Sequence, residues 1–296
     1  MKDKKLLVTG VSGFLGWHIC QAALASWDVV GTYNQNATVI DGVDTVALDL
    51  RDGGRIADFL DEIRPDAIIH AAALSLPNAC ELQPELSEKI NIDATRSLSE
   101  WCGSAGVPML FTSTDLVFDG EHAPYSEDDA VAPISVYGRH KVVAEKAILE
   151  NVSNGLVCRM PLMFGYRNGR PASFIGPWLE KLRNGERLNL FEDESRTPVD
   201  GKSAAEGLLL ALESGWSGTL HFGGRESISR YEFGLKFAKK FGVSPDSITA
   251  TKIADIKMAS PRARDVSLDS NNAFVLGYNP GTIDEQLKAC ADSLQQ

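Results

Sequence analysis

Cationic surplus is missing from this chain. Lysine and arginine number 29 against 40 aspartates and glutamates, a formal net charge of −11. That deficit disfavours a nucleic-acid backbone or an anionic membrane as partner, since both are bound through neutralising cations. It leaves room for local positive sites on a small phosphorylated ligand. Long apolar runs are missing too: none approaches the ~18 residues of a membrane span, and the short stretch before Gly10 is too brief for a secretory signal. A cytoplasmic protein is expected. Cysteine is sparse. Cys20, Cys80, Cys102, Cys158 and Cys290 are scattered, odd in number and never at metal-ligand spacing, so reduced structural thiols and no metal site are expected. Internal repeats and low-complexity tracts are also absent. What remains is 296 residues with 44% hydrophobic and 23% charged content, ordinary for a globular chain and enough for one large α/β domain, or a main domain with a smaller second one.

The first fifty residues carry the clearest pattern. Lys5-Leu6-Leu7-Val8-Thr9 reads as a strand, Gly10-Val11-Ser12-Gly13-Phe14-Leu15-Gly16 as a glycine turn, and Trp17 to Ala25 as a helix. Strand, glycine turn and helix together make a phosphate cradle: the first glycine permits the turn, the second lets a pyrophosphate approach, and the third lets helix pack on strand. Asp28 to Tyr33 reads as the second strand. An acid near its end would bond ribose hydroxyls, but Thr32, Tyr33, Asn34 and Gln35 include none. The missing repulsion leans the chain toward NADP, with NAD possible, although no arginine or lysine stands in the gap.

Further strands are expected at Val46–Leu50, with Asp49 at its tip, at Ala67–His70, ending in Ala71-Ala72-Ala73, and at Met109–Asp115, running into hydroxyls. Helices are expected at Arg55–Ile63 and from about Pro84 to Cys102. The small residues after His70 would let a ligand lie close, or would simply pack helix on strand. His70 itself, on an apolar strand, reads as structural. Alternating strands and helices of this length give a Rossmann-type, doubly wound parallel α/β sheet, with ligands beyond the strand C-terminal ends. A helix starting near Pro133 puts Tyr137 and Lys141 on one face. A neighbouring ammonium would lower the phenol from its usual ~10, making the pair a proton donor at neutral pH.

As a set, Gly10-x-x-Gly13-x-x-Gly16, Asp49-Leu50, Ala71-Ala72, Asn91, Ser113-Thr114-Asp115 and Tyr137-x-x-x-Lys141 resemble the extended short-chain dehydrogenase/reductase superfamily. Within it, Ser113 to Gly120 and Pro261 to Asp269 are similar to the dTDP-4-dehydrorhamnose reductase (RmlD-like) group. The resemblance implies that Thr114, with Ser113 adjacent, bonds the substrate oxygen, that Tyr137 donates the proton, and that Lys141 holds the nicotinamide ribose. It implies a cofactor set of Gly10, Ser12, Gly13, Phe14, Leu15, Gly16, Thr32, Asn34, Asp49, Leu50, Ala71, Ala72, Ala73, Asn91, Thr112, Tyr137, Lys141 and Pro161. Asp115, Phe118, Arg196, Arg262 and Arg264 would meet a nucleotide-linked sugar, the arginines pairing its diphosphate. Dehydratases of the superfamily carry Asp-Glu after the threonine. Here Asp115-Leu116 lacks the second acid, which argues for simple reduction. Met160-Pro161-Leu162 stands where the rhamnose reductases carry Thr-Ser-Trp, and Ala263 where they carry proline, which leaves the sugar open.

The last third loses the strand–helix rhythm. Tyr166 to Pro171 reads as a flexible segment over the site, and a smaller substrate unit is expected at about 166–196 and 224–296, beside a dinucleotide unit at 1–165 and about 197–223. The expected activity is reduction of a keto group on a nucleotide-linked sugar, with a homodimer as the candidate assembly. The alternatives are an epimerase or dehydratase on the same scaffold, or a non-catalytic NADP-binding subunit resembling the regulatory subunit of methionine adenosyltransferase.

Overall fold

Short apolar segments separated by helices bury their backbone polar groups only by pairing side by side. The computed structural model, which describes residues 4–168 and 170–293, pairs them in that way. The strands are β1 (Lys5–Thr9), β2 (Asp28–Tyr33), β3 (Val43–Ala47), β4 (Ala67–His70), β5 (Met109–Thr114), β6 (Gly155–Met160), β7 (Met163–Arg167), β8 (Arg170–Ser173), β9 (Leu188–Phe191), β10 (Ser195–Arg196), β11 (Val199–Asp200), β12 (Gly218–His221), β13 (Ile228–Ser229) and β14 (Ile248–Thr251). Seven form one parallel sheet in the order β12-β6-β5-β4-β1-β2-β3. The chain leaves β1 toward β2 and β3, then returns to β4 and continues the other way. The switch point, where such sheets open a crevice for a ligand, therefore lies between β1 and β4.

The helices are α1 (Phe14–Ala23), α2 (Gly53–Ile63), α3 (Pro77–Leu82), α4 (Pro84–Glu88), α5 (Ala94–Ala105), α6 (Val136–Asn151), α7 (Ile175–Arg183), α8 (Gly201–Ser214), α9 (Arg230–Lys240), α10 (Asn271–Leu276) and α11 (Ile283–Asp292). Because side chains alternate along a strand, Leu6, Val8, Ile69 and Cys158 join one apolar cluster with α1 and α8. Leu7, Ile68, Phe111 and Val157 join the other, with α2, α5 and α6. A third cluster links Phe164, Trp178, Phe233, Phe237 and Leu287, from β7, α7, α9 and α11. Small pairings of β9 with β14 and β10 with β13 accompany it.

Several expectations need correction. The third strand ends at Ala47, so Asp49 follows it by two residues and is not its tip. The helix expected from Pro84 to Cys102 is broken by a π-helical turn, Lys89–Asp93, which carries Asn91. The fifth strand stops at Thr114, and Asp115–Val117 forms a 3-10 turn. The segment expected to be flexible after Tyr166 is an antiparallel hairpin of β7 and β8. Gly169, within it, lies outside the described residues. Among the described residues no helix is long and apolar enough to cross a membrane.

One buried ion pair ties α6 to the sheet. The Arg159 guanidinium on β6 donates to both Glu145 oxygens at 3.1 and 2.9 Å, and both residues are buried. The Ser113 hydroxyl also donates to Glu145, at 2.5 Å. Removing one partner of such a pair leaves a bare charge in the interior. Arg159→Met should therefore lower the unfolding free energy by about 3–5 kcal/mol, and the double variant Arg159→Met/Glu145→Met should recover much of it. Urea unfolding curves check this, and a single variant with the parent midpoint would contradict it.

Candidate active site

The glycine turn is built by backbone bonds. Gly10 and Val11 N–H both donate to the Thr32 carbonyl, at 2.9 and 3.0 Å, which anchors the turn to the end of β2. Gly10 has φ +77°, and a Cβ there would lie 2.8 Å from Ala72 Cα. A side chain is thus excluded twice, by backbone strain and by the close approach of the loop after β4. Thr9 Oγ1 receives the N–H groups of Ala71 and Ala72 at 3.2 and 3.1 Å, joining the two loops across the switch point. His70, between Thr9 and Thr95 hydroxyls at 2.7 and 3.1 Å, is pushed down to about 3 by burial first and then by Lys141. It is a neutral structural histidine.

A cavity of about 370 Å³ opens at this point. Gly10, Ser12, Gly13, Phe14, Leu15 and Gly16 line it together with Thr32, Asn34, Asp49, Leu50, Ala71, Ala72, Ala73, Thr112, Ser113, Tyr137 and Lys141. Sequence reasoning missed Tyr33, Leu48, Ser75, Ile90, Met160 and Met163, which also line it. Among these, only Tyr33 carried a signal, as neighbour of the β2 end. Two expected members stand outside the lining. Pro161 is buried, and its neighbours Met160 and Met163 line the cavity instead. Asn91 is buried, bonds Leu74 N–H and C=O at 2.9 and 3.1 Å, and donates to Ser87 Oγ at 3.1 Å. The π-helical turn aims it at the loop after β4, whose backbone it holds. Asp49 holds Arg51 with Nε bonds of 2.8 and 3.0 Å, and this keeps its carboxyl below the usual range.

At the inner end of the cavity, Ser135 caps α6 by accepting from Gly138 N–H at 3.1 Å. A Cβ on Gly138 would collide with the Leu116 carbonyl oxygen. The first turn of α6 thereby packs directly on the 3-10 turn after β5 and brings Tyr137 beside Thr114 and Asp115. Lys141, one turn on, is buried; its ammonium donates to the Thr112 carbonyl at 2.5 Å and sits 3.9 Å over the Phe111 ring. Burial pushes Lys141 down to about 7, with Glu145 and then Cys80 opposing. Tyr137 departs from expectation. Its phenol is raised above the ordinary tyrosine value, by burial first and then by Cys80 and Asp115, while the Thr114 hydroxyl pulls the other way. Desolvation disfavours the phenolate, and the Thr114 hydroxyl does not offset it. Tyr137 therefore keeps its proton throughout the neutral range.

Thr114 Oγ1 donates to Asp115 Oδ1 at 3.1 Å and accepts from Leu116 N–H at 3.2 Å. The Ser113 hydroxyl is turned to Glu145, so it serves the buried ion pair. Phe118, expected to meet the substrate, is fully buried, stacked 4.1 Å from Tyr125 and beside Arg159 in a small apolar cluster. The arginines also differ from expectation. Arg196 is buried between Asp115 (3.4 Å) and Glu194 (2.9 Å), so its charge is already compensated. Arg262 is partly exposed and reaches Glu194 at 3.3 Å, with its Nε buried and unbonded. Arg264 is exposed. Arg230, missed in the sequence because nothing around Ile228-Ser229 marks it, stacks 4.1 Å from Phe174 and 4.8 Å from Trp178 and leaves Nη1 buried and unbonded. Asp115 is pushed up to about 6 by burial, against the pull of Arg196.

A glycine turn at the switch point, with Tyr137 and Lys141 buried at the inner end of the cavity, defines a dinucleotide-binding fold. The chain belongs to the RmlD substrate binding domain family, whose profile matches residues 4–296. It is 31% identical over 95% of both chains to the probable low-salt glycan biosynthesis reductase Agl14 of Haloferax volcanii. It is also 26% identical, over 95% of this chain and 84% of the other, to methionine adenosyltransferase 2 subunit beta of Pongo abelii. Among solved structures, a hypothetical dTDP-4-dehydrorhamnose reductase from Sulfolobus tokodaii superposes with a TM-score of 0.82 at 30% identity, covering 95% of this chain and 98% of that one.

Proposed function

We propose that the protein is an NADP-dependent reductase of a keto group on a nucleotide-linked sugar, of the dTDP-4-dehydrorhamnose reductase kind. The observation that carries this reading is a protonated, buried Tyr137 at the inner end of a cavity whose outer end is a glycine cradle. The residues fit a dinucleotide: the Gly10 turn has no room for a side chain, and no carboxylate stands between Thr32 and Gln35 to repel a 2′-phosphate. A reduced nicotinamide bound there would supply the hydride. Tyr137 Oη delivers the proton to the carbonyl oxygen, and its raised pKa keeps that proton available. Thr114, bonded to Asp115 and beside Tyr137, orients the oxygen as it takes up charge. Lys141, with its ammonium at the Thr112 carbonyl, is placed for the ribose. Asp115 has no second acid beside it, since Leu116 follows, which favours reduction over elimination.

The substrate's diphosphate is assigned to Arg262 and Arg230. Each carries a buried, unbonded guanidinium nitrogen, an uncommon condition that an anion relieves. Arg196 holds Glu194 and Asp115 between that cluster and the tyrosine. A second reading, a partner-binding subunit that holds the cofactor without turnover, is supported by the similarity to methionine adenosyltransferase 2 subunit beta.

Tyr137→Phe should cut turnover by about 10²–10⁴-fold while leaving the NADPH Kd within a few-fold, as measured by steady-state rates and fluorescence titration. Near-parental turnover would remove Tyr137 from the chemistry. Arg262→Ala should raise KM for the sugar nucleotide roughly 10–150-fold, the loss of one charged hydrogen bond, with the cofactor Kd unmoved. An unchanged KM would send the diphosphate elsewhere.

A further inference from the structure

The loop after β2 offers no basic residue: Thr32, Tyr33, Asn34, Gln35, Asn36, Ala37 and Thr38 are all uncharged. The fold brings one from elsewhere. Gly165 on β7 packs by the Phe14 ring, where a Cβ would lie 3.4 Å from Phe14 Cζ, and Phe14 is the first residue of α1 and lines the cavity. Two residues on, Arg167 extends from the end of β7 across both dinucleotide loops. Its Nη1 donates to the Ser12 carbonyl, and its Nη2 donates to Thr38 Oγ1 at 2.7 Å. Ser12 and Asn34 line the cavity on that side. The side chain is half-buried, and its Nε is bonded to nothing among the described residues.

We propose that Arg167, delivered from the β7–β8 hairpin, is the residue that selects NADP over NAD by bonding the 2′-phosphate of the adenosine ribose. In folds of this kind the ribose end lies beyond β2, and an arginine near it accommodates the phosphate. A planar guanidinium suits a phosphate better than an ammonium does, because its donors form a fixed fork. Here the fork already spans the turn after β1 and the loop after β2, the two segments between which that phosphate would sit. The hairpin therefore acts as a clamp on the cofactor's far end, remote from the reacting one. The inference rests on the reading of the cavity as a dinucleotide site.

The test is fluorescence titration of NADPH and NADH into the parent, Arg167→Ala and Arg167→Lys. Loss of one charged hydrogen bond should weaken NADPH by roughly 10–150-fold in Arg167→Ala, with NADH changed less than about threefold and Arg167→Lys in between. The NADH titration controls for the bracing of the two loops, since that contribution is common to both cofactors. Equal weakening of both would make Arg167 a brace and overturn the proposal, as would an unchanged NADPH affinity or a parent that prefers NADH. A parent that binds neither cofactor would instead overturn the dinucleotide reading, and the proposal with it.

Discussion

Burial of the Lys141 ammonium is the constraint around which the site is arranged. A lone ammonium in the interior costs several kcal/mol or loses its proton, and here burial has moved it down to about 7. What keeps it in place is specific: the Thr112 carbonyl at the end of β5, the face of Phe111 on the same strand, and Glu145 one turn further along α6. Glu145 is in turn fixed by Arg159 on the neighbouring strand and by Ser113. The pairing of β5 with β6 therefore sets where the lysine sits. The close packing of Gly138 on the Leu116 carbonyl sets where Tyr137 sits relative to it. A shift of either element would leave a buried charge without its partners, which is a strong penalty against alternatives.

The same dryness explains the chemistry. Tyr137 is a better proton keeper than its spacing from Lys141 suggests, because desolvation, with Cys80 and Asp115, outweighs the pull of the Thr114 hydroxyl. A reductase needs the phenol protonated when the carbonyl arrives, so the raised value suits the forward reaction. Asp115, also buried and moved up to about 6, adjoins the arginine–glutamate cluster on its other side. The Tyr137 end of the cavity and the Glu194 cluster are thereby linked through Asp115 and Arg196.

Much of the fold was legible because it depends on local signals. The glycine turn, the apolar runs of β1, β2 and β4 and the helix that opens with Ser135 are each written in a few adjacent residues. The shift of β3 and the π-helical break at Lys89–Asp93 were not, since each answers to packing: the first to pairing with β2, the second to aiming Asn91 at the Leu74 backbone. At the site, the Gly10 turn and Ala71 to Ala73 followed from the glycine pattern and strand ends, and the rest of the expected cavity lining from the family resemblance. The unforeseen surroundings are those set by tertiary partners. Phe118 looked like a ligand contact until Tyr125 stacked on it. Arg196 looked available until Asp115 and Glu194 surrounded it, and Arg167 lies about 130 residues from the loop it reaches.

The central claim is that the cavity and the Tyr137 site together perform a net reduction. The most direct measurement is the stoichiometry of NADPH oxidation against a keto sugar nucleotide, with NADPH carrying deuterium at the transferable position. The account predicts one NADPH oxidised per sugar converted and deuterium on the former carbonyl carbon. Sugar conversion without net NADPH oxidation, or binding of both ligands without conversion, would contradict it.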